Sequence, residues 1–115
     1  MIAFNSNAQS NWVFVSSNTV QDDYFVDKSS IQTQGNSVTF WYRSNYKQRT
    51  EFGDLSSKVQ STINCRTREI IARYSMFYDD IDNGGQLTIA KKPNPYWAPI
   101  PPNTVVWNLY KFICK

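Results

Sequence analysis

Side chains that could carry out nucleophilic or acid–base chemistry are few in this sequence, and none of its 115 residues is a histidine. Histidine is the commonest general base near neutral pH and the commonest protein ligand for metals. Its absence excludes the Ser-His-Asp and Cys-His arrangements of nucleophilic catalysis. Carboxylates such as Asp22, Asp27, Glu51 and Glu69 are present, but no motif pairs two of them for acid–base work. We therefore predict a protein with no catalytic residue and no cofactor, which is not an enzyme.

The two cysteines, Cys65 and Cys114, are the remaining reactive side chains. They lack the CxxC spacing of redox sites, and two isolated cysteines cannot complete a tetrahedral zinc site without other strong ligands. Two interpretations stay open: two reduced thiols in the core of a cytosolic protein, or one disulfide in an exported protein. We favour the disulfide, because closing a loop of about 50 residues contributes about 4 kcal/mol in the chain-entropy model. A disulfide in turn indicates an oxidising compartment.

A group of acidic residues, Asp79, Asp80 and Asp82 with Asn83, precedes Gly84-Gly85. One interpretation is a calcium-binding loop. The segment lacks the DxDxDG spacing and the later bidentate glutamate of such loops. The Asn-Gly pair is instead typical of a hairpin turn, because such turns need positive φ. We favour the turn and predict no metal site.

Basic side chains in the middle third of the chain are interleaved with Tyr42, Tyr46 and Tyr74; they are Lys47, Arg49, Lys58, Arg66, Arg68 and Arg73. This pattern fits either an anionic partner or an ordinary solvated face. No RNP-type signature is present, so we predict no nucleic-acid partner.

Two further aromatic residues, Tyr96 and Trp97, stand among prolines. They are either exposed binding residues or residues that fold back to tie a long loop to the core. Our candidate partner-binding residues are Lys47, Arg49, Arg66, Arg68, Tyr96 and Trp97.

The elements that must position these residues are mostly strands. Hydrophobic residues make up 41% of the chain and aromatic residues 16%, which favours one strand-rich globular domain. The alternation of Val59, Ser61, Ile63 and Cys65 puts Cys65 on a buried face. For 69–78 we favour a strand, although periodicity alone also allows a helix. The predicted strands are Trp12–Ser16, Tyr24–Asp27, Ser37–Ser44, Lys58–Cys65, Glu69–Tyr78 and Gln86–Ala90.

The C-terminal part of the sequence predicts an extended segment followed by a helix. Lys91–Pro102 contains five prolines and cannot lie in the centre of a sheet. Asn103 or Thr104 can cap a helix over Thr104–Lys115. Apolar side chains cover roughly 220° of that helix at about 100° per residue. We therefore expect the helix to contact its own sheet and one further surface.

No apolar run is long enough to span a membrane. Residues 1–11 are polar, without the apolar stretch of a signal peptide, and we predict that they form a flexible leader. Residues 12–115 are predicted to form the single domain.

Taken in order, several motifs resemble the surface-adhesin protein E family of Gram-negative bacteria. They start with WVFVSS from Trp12, YFVDKSS from Tyr24 and VTFW from Val38. They continue with Asn64-Cys65 before a basic stretch, the hairpin at 83–85, and WAPIPP from Trp97 before the last helix. The resemblance covers residues 12–115, which we expect to be one adhesin E-like domain.

The resemblance implies a mostly β, α+β fold: a six-stranded antiparallel sheet with one C-terminal helix held on its concave face by a disulfide. It also implies export to the periplasm, outer membrane or cell surface, and a homodimer. The function it implies is binding to host extracellular-matrix proteins such as vitronectin and laminin. The alternative is a structural or accessory protein of the cell envelope with a bacterial partner.

Overall fold

One antiparallel sheet and one α-helix are the main elements of the described part of this chain. The structure, a computed structural model, describes residues 9–91 and 95–115. The predicted leader lies mostly outside the described residues, as do Lys92, Pro93 and Asn94 of the predicted extended segment. The strands and the helix are β1 (Trp12–Ser17), β2 (Asp23–Asp27), β3 (Gln32–Gln34), β4 (Ser37–Asn45), β5 (Ser56–Asn64), β6 (Glu69–Tyr78), β7 (Leu87–Lys91), β8 (Ala98–Pro99) and α1 (Val105–Ile113).

The sheet has eight strands, and six of them follow the order β1-β2-β4-β5-β6-β7. These six are the predicted strands, and the alternative of a helix over 69–78 is wrong, because those residues form β6. Two short strands were not predicted: β3 pairs with β4, and β8 pairs with β6. With three and two residues, they are too short to show a periodic pattern.

The two faces of the sheet differ in what covers them. Along the central strand β4, Val38, Phe40 and Tyr42 lie on the face packed against α1, and Trp41 and Arg43 lie on the opposite face, here called the open face. Burial of the first face forms the hydrophobic core, which contains Val26, Phe40, Ile63, Ile100 and Leu109.

A cap begins the helix, and a buried leucine packs it against the sheet. The hydroxyl of Thr104 accepts a hydrogen bond from the backbone N–H of Trp107 at 3.1 Å, so the predicted cap at Thr104 is confirmed. Leu109 is fully buried. The wide apolar arc is covered in part within the chain, since the side chains of α1 that pack against the buried core include Val105, Val106, Trp107, Tyr110, Phe112 and Ile113.

A disulfide joins Cys65 to Cys114, with a sequence separation of 49 residues and a Cα–Cα distance of 5.6 Å. The predicted bond is therefore confirmed. The prediction that Cys65 lies inside a strand is wrong by one residue, because β5 ends at Asn64. The Asn64 side chain accepts hydrogen bonds from the N–H groups of Arg66 and Thr67, which bends the chain into a turn at Cys65.

Three tyrosines lie close together on the helix side of the sheet. Burial raises the pKa of Tyr42 to about 12, and the neighbouring Tyr24 and Tyr46 add to the shift. Burial is also the main reason why the pKa of Tyr24 and the pKa of Tyr46 are raised. The charge of Asp22 adds to both shifts. The folded chain therefore favours the neutral form of all three side chains.

We expect the free energy of unfolding to fall as the pH rises from 10 to about 12, the usual and the folded-state pKa of Tyr42. Above pH 10 the unfolded chain releases the Tyr42 proton, whereas the folded chain keeps it. The contribution is fully present below pH 10, and its loss amounts to about 2 to 3 kcal/mol. Guanidinium unfolding at several alkaline pH values measures the slope. Tyr42→Phe, which has no proton to lose there, should show a smaller slope; equal slopes would contradict the assignment.

Candidate functional site

The basic candidate residues lie at opposite ends of the sheet. Lys47 and Arg49 follow β4, whereas Arg66 and Arg68 form the turn between β5 and β6. The paired strands β4 and β5 separate these two ends, and each has nine residues. At about 3.3 Å per residue, the two ends are roughly 25 Å apart. The structure therefore does not bring the four residues into one patch.

Two of these side chains make contacts within the chain. Arg49 donates hydrogen bonds from Nη1 to the carbonyl oxygens of Gly53 and Asp79, each at 2.7 Å, and so ties the loop after β4 to the turn after β6. The guanidinium carbon of Arg68 lies 5.9 Å from the centroid of the Trp107 ring. The side chains of Lys47 and Arg66 are exposed.

The acidic residues after β6 serve the turn in which they stand. Asp79 accepts a hydrogen bond from the N–H of Gln86, and Asp80 accepts one from the N–H of Ile81. Asp82 forms an ion pair with Arg43 at 3.2 Å. In the part of the chain that the structure describes, no three His, Cys, Asp or Glu side chains are grouped to hold a metal ion.

A cavity of about 700 Å³ lies beside the loop after β4 and is lined by aromatic and acidic side chains, among them Phe52, Asp22 and Asp54. Both aspartates have partners within the chain. Asp22 accepts hydrogen bonds from the backbone N–H of Lys47 and the side chain of Asn18, and Asp54 accepts one from the hydroxyl of Thr50. These two carboxylates therefore hold the loop in its shape, and we do not assign them to a ligand site.

A continuous surface of aromatic side chains crosses the open face. We call it the aromatic strip, defined as Trp12, Phe14, Phe25, Trp41 and Tyr74 with the cations Arg43 and Lys58. Strand register creates it, since Phe14, Phe25, Arg43 and Lys58 stand in one row across four strands. Phe14 is 54% exposed and Tyr74 50%.

Cation–π contacts fix the position of these rings. The Arg43 guanidinium lies 4.6 Å from the Trp12 ring centroid and 5.4 Å from that of Phe25. The Lys58 ammonium lies 5.1 Å from the centroid of Trp41. Because the ion pair with Asp82 holds Arg43, the rings beside it form an ordered surface. Ordered aromatic residues with arginine are the groups that most often dominate protein interfaces.

A second region of the open face, here called the Trp97 cleft, has a volume of about 450 Å³ and is lined by residues 32–34, Ser37, Thr39, Thr62, Arg73 and Trp97. Arg73 is the extra residue of a β-bulge, since Gln60 pairs with Tyr74 and Ser61 with Ala72. Its guanidinium lies 5.9 Å from the Trp97 ring centroid.

Trp97 shows both of the behaviours considered for it, contact with the sheet and exposure. The Trp97 ring lies against Arg73 of the sheet, and yet it is 40% exposed. Tyr96 is 74% exposed. Sequence reasoning placed Trp97 among the candidates and Arg73 among the basic residues of the middle third. It missed the other residues of the cleft, because neutral glutamines, serines and threonines give no signal of their own.

Comparison with known proteins gives one family and one group of structures. Residues 12–115 match the family model described as surface-adhesin protein E. A selenomethionine form of Haemophilus influenzae protein E is similar in structure, with a TM-score of 0.72 and 20% identity over 98% of this chain and 92% of that chain. Protein E from non-typeable Haemophilus influenzae gives a TM-score of 0.69 and 20% identity over 98% of this chain and 81% of that chain. No curated protein matches the chain.

Proposed function

The chain belongs to the surface-adhesin protein E family, and from this premise we propose that it binds a host extracellular-matrix protein and catalyses no reaction. Membership of this family makes it a surface or exported adhesin. We propose the periplasm, the outer membrane or the cell surface as its place. The disulfide supports an oxidising compartment of this kind. No helix in the described part of the chain has the length and apolar character needed to cross a membrane.

The aromatic strip is the observation that carries this proposal. Its exposed rings, Phe14 and Tyr74, lie on the face of the sheet that α1 does not cover. Exposed aromatic side chains at fixed positions lose little conformational freedom when a partner covers them. A protein surface is the partner that such a strip fits, because aromatic residues and arginine are enriched in the buried centre of interfaces.

We expect Tyr74→Ala and Phe14→Ala each to weaken binding to immobilised vitronectin or laminin by tenfold or more, the size of effect seen for residues at the centre of an interface. Surface plasmon resonance measures the dissociation constant. Phe52→Ala is the matched control, since Phe52 is 70% exposed and lies outside the strip.

Equal binding by wild type and both strip variants would refute the role of the strip, as would an equal loss in the Phe52 control. If neither matrix protein binds, whereas an envelope extract yields a bacterial protein whose capture depends on Tyr74, the accessory-protein alternative replaces the adhesin proposal.

The four basic candidates keep a proposed role in the approach of the partner. Exposed charges at the rim of an interface change the association rate and its salt dependence more than they change the contacts in the complex. Lys47 and Arg66 suit this role best, because Arg49 and Arg68 already make contacts within the chain.

We also propose that the protein forms a homodimer. β7 ends the six-strand path of the sheet, and Leu87 at its start is 51% exposed. An exposed edge strand can pair with a second copy of itself. Light scattering should give twice the chain mass of 13.4 kDa; a mass of one chain at working concentration would exclude the dimer.

A further inference from the structure

We infer that the Trp97 cleft binds an acidic saccharide, a sugar ring that carries a carboxylate or sulfate group. This inference extends the protein-binding function to a second class of ligand. It involves none of the side chains of the aromatic strip. The cleft and the strip can therefore be tested separately.

The wall of the cleft that β3 forms offers unused polar groups. Gln32 and Gln34 are exposed and pair through their backbones with Thr39 and Ser37 of β4. No hydrogen bond between described residues uses the side-chain amide of either glutamine. An amide offers two donors and one acceptor with two lone pairs, which matches the adjacent hydroxyl groups of a sugar. The glutamine amides can thus replace the hydrogen bonds to water that a sugar loses on binding.

The opposite wall supplies an apolar platform. The Trp97 indole is 40% exposed and lines the cleft. The π face of an aromatic ring carries negative electrostatic potential, which attracts the C–H groups on one side of a pyranose ring. A cleft that contains an indole as well as amide and hydroxyl groups can contact both the C–H groups and the hydroxyl groups of a sugar.

Arg73 determines the charge of the ligand. Among the described residues that line the cleft, it is the one that carries a charge, and none of them carries a carboxylate. Its Nε atom donates to the hydroxyl of Thr62 at 3.3 Å, and that hydroxyl lies 2.8 Å from the hydroxyl of Thr39. Among the described residues, the two terminal nitrogens of Arg73 have no hydrogen-bond or ion-pair partner. A guanidinium held in this way can form two parallel hydrogen bonds with a carboxylate or sulfate.

The size of the cleft agrees with such a ligand. Sites for small molecules typically have volumes of about 300 to 1,000 Å³, and this cleft has about 450 Å³. A neutral sugar would leave the Arg73 charge unpaired, and an acidic peptide would leave the glutamine wall and the indole without matched groups. The combination of groups therefore favours the acidic sugar.

The test measures binding of four probes by isothermal titration calorimetry and saturation-transfer NMR. The probes are 3′-sialyllactose, which carries a carboxylate, a heparin hexasaccharide, which also carries sulfate, neutral lactose, and hexaglutamate. We expect at least one acidic saccharide to bind at least tenfold more tightly than lactose and hexaglutamate. The two acidic probes distinguish carboxylate from sulfate recognition.

Arg73→Gln should weaken that binding at least tenfold, and Gln34→Ala should weaken it without changing the thermal stability. Lys111→Gln is the matched control, because it also removes one exposed positive charge and Lys111 lies on α1, outside both the Trp97 cleft and the aromatic strip. The control should bind as wild type does.

Three results would overturn the inference. They are no binding of either acidic saccharide, binding of lactose or hexaglutamate as tight as that of the acidic saccharides, and an equal loss of binding in Lys111→Gln and Arg73→Gln. Failure of the proposed function would give a different experimental result from failure of this inference. In that case Tyr74→Ala leaves binding to matrix proteins unchanged, whatever the saccharides do.

Discussion

Replacing both cysteines, as Cys65→Ser with Cys114→Ser, is expected to lower the free energy of unfolding by about 4 kcal/mol. The bond closes a loop with a sequence separation of 49 residues. In the chain-entropy model, a loop of about this length makes the unfolded state less favourable by about 4 kcal/mol. Because domains of this size are stable by only about 5 to 15 kcal/mol, between about a quarter and four fifths of the folding stability would be lost.

Guanidinium denaturation of the oxidised wild type and of the double variant measures this difference, with the reduced wild type as a control that keeps the sequence unchanged. Hydrogen exchange should show the first loss of protection in α1, since Cys114 is the residue that ends the helix. A difference below about 1 kcal/mol would mean that packing around Leu109 alone holds the helix on the sheet.

Phe40→Ala is expected to cost about 3 to 5 kcal/mol, the usual range for truncating a buried phenylalanine. Phe40 is fully buried in the central strand β4 and belongs to the core cluster between the sheet and α1. The substitution removes apolar contacts and leaves a cavity that neighbouring strands, held by hydrogen bonds on both sides, cannot fill.

The same chemical change at Phe14 provides the control. Phe14 is 54% exposed on the open face, so Phe14→Ala should cost less than about 1 kcal/mol while it weakens partner binding. Chemical denaturation of both variants under identical conditions gives the two values. Equal losses at the two positions would contradict the assignment of Phe40 to the core and of Phe14 to the binding surface.

The sequence was sufficient to predict the elements that are long enough to show a regular pattern. Alternation along β4 and β5 and the apolar arc of α1 predicted these elements to within about two residues, because each has nine residues in one regular conformation. The two cysteines could be paired on thermodynamic grounds. The strands β3 and β8 could not be predicted, since their formation depends on the neighbouring strand and not on their own composition.

The binding surfaces were harder to predict, because they depend on register. Strand alternation puts Trp41 and Arg43 on one face, but nothing in the sequence shows that Phe25 and Phe14 stand in the same row as Arg43. Likewise, the bulge that carries Arg73 leaves no mark on the sequence. Grouping basic residues by type also misled, since Lys47 and Arg66 lie at opposite ends of the sheet.

The disulfide also determines how the molecule responds to mechanical force. A pull applied at Lys115 passes from Cys114 through the sulfur atoms directly to Cys65, so β6, β7 and α1 carry no tension. At about 3.3 Å per residue, the bridge withholds roughly 160 Å of chain from extension. In an adhesin stretched between a cell and a surface under flow, the covalent bridge would thus keep residues 66–113 from being extended at loads that extend an uncrosslinked chain.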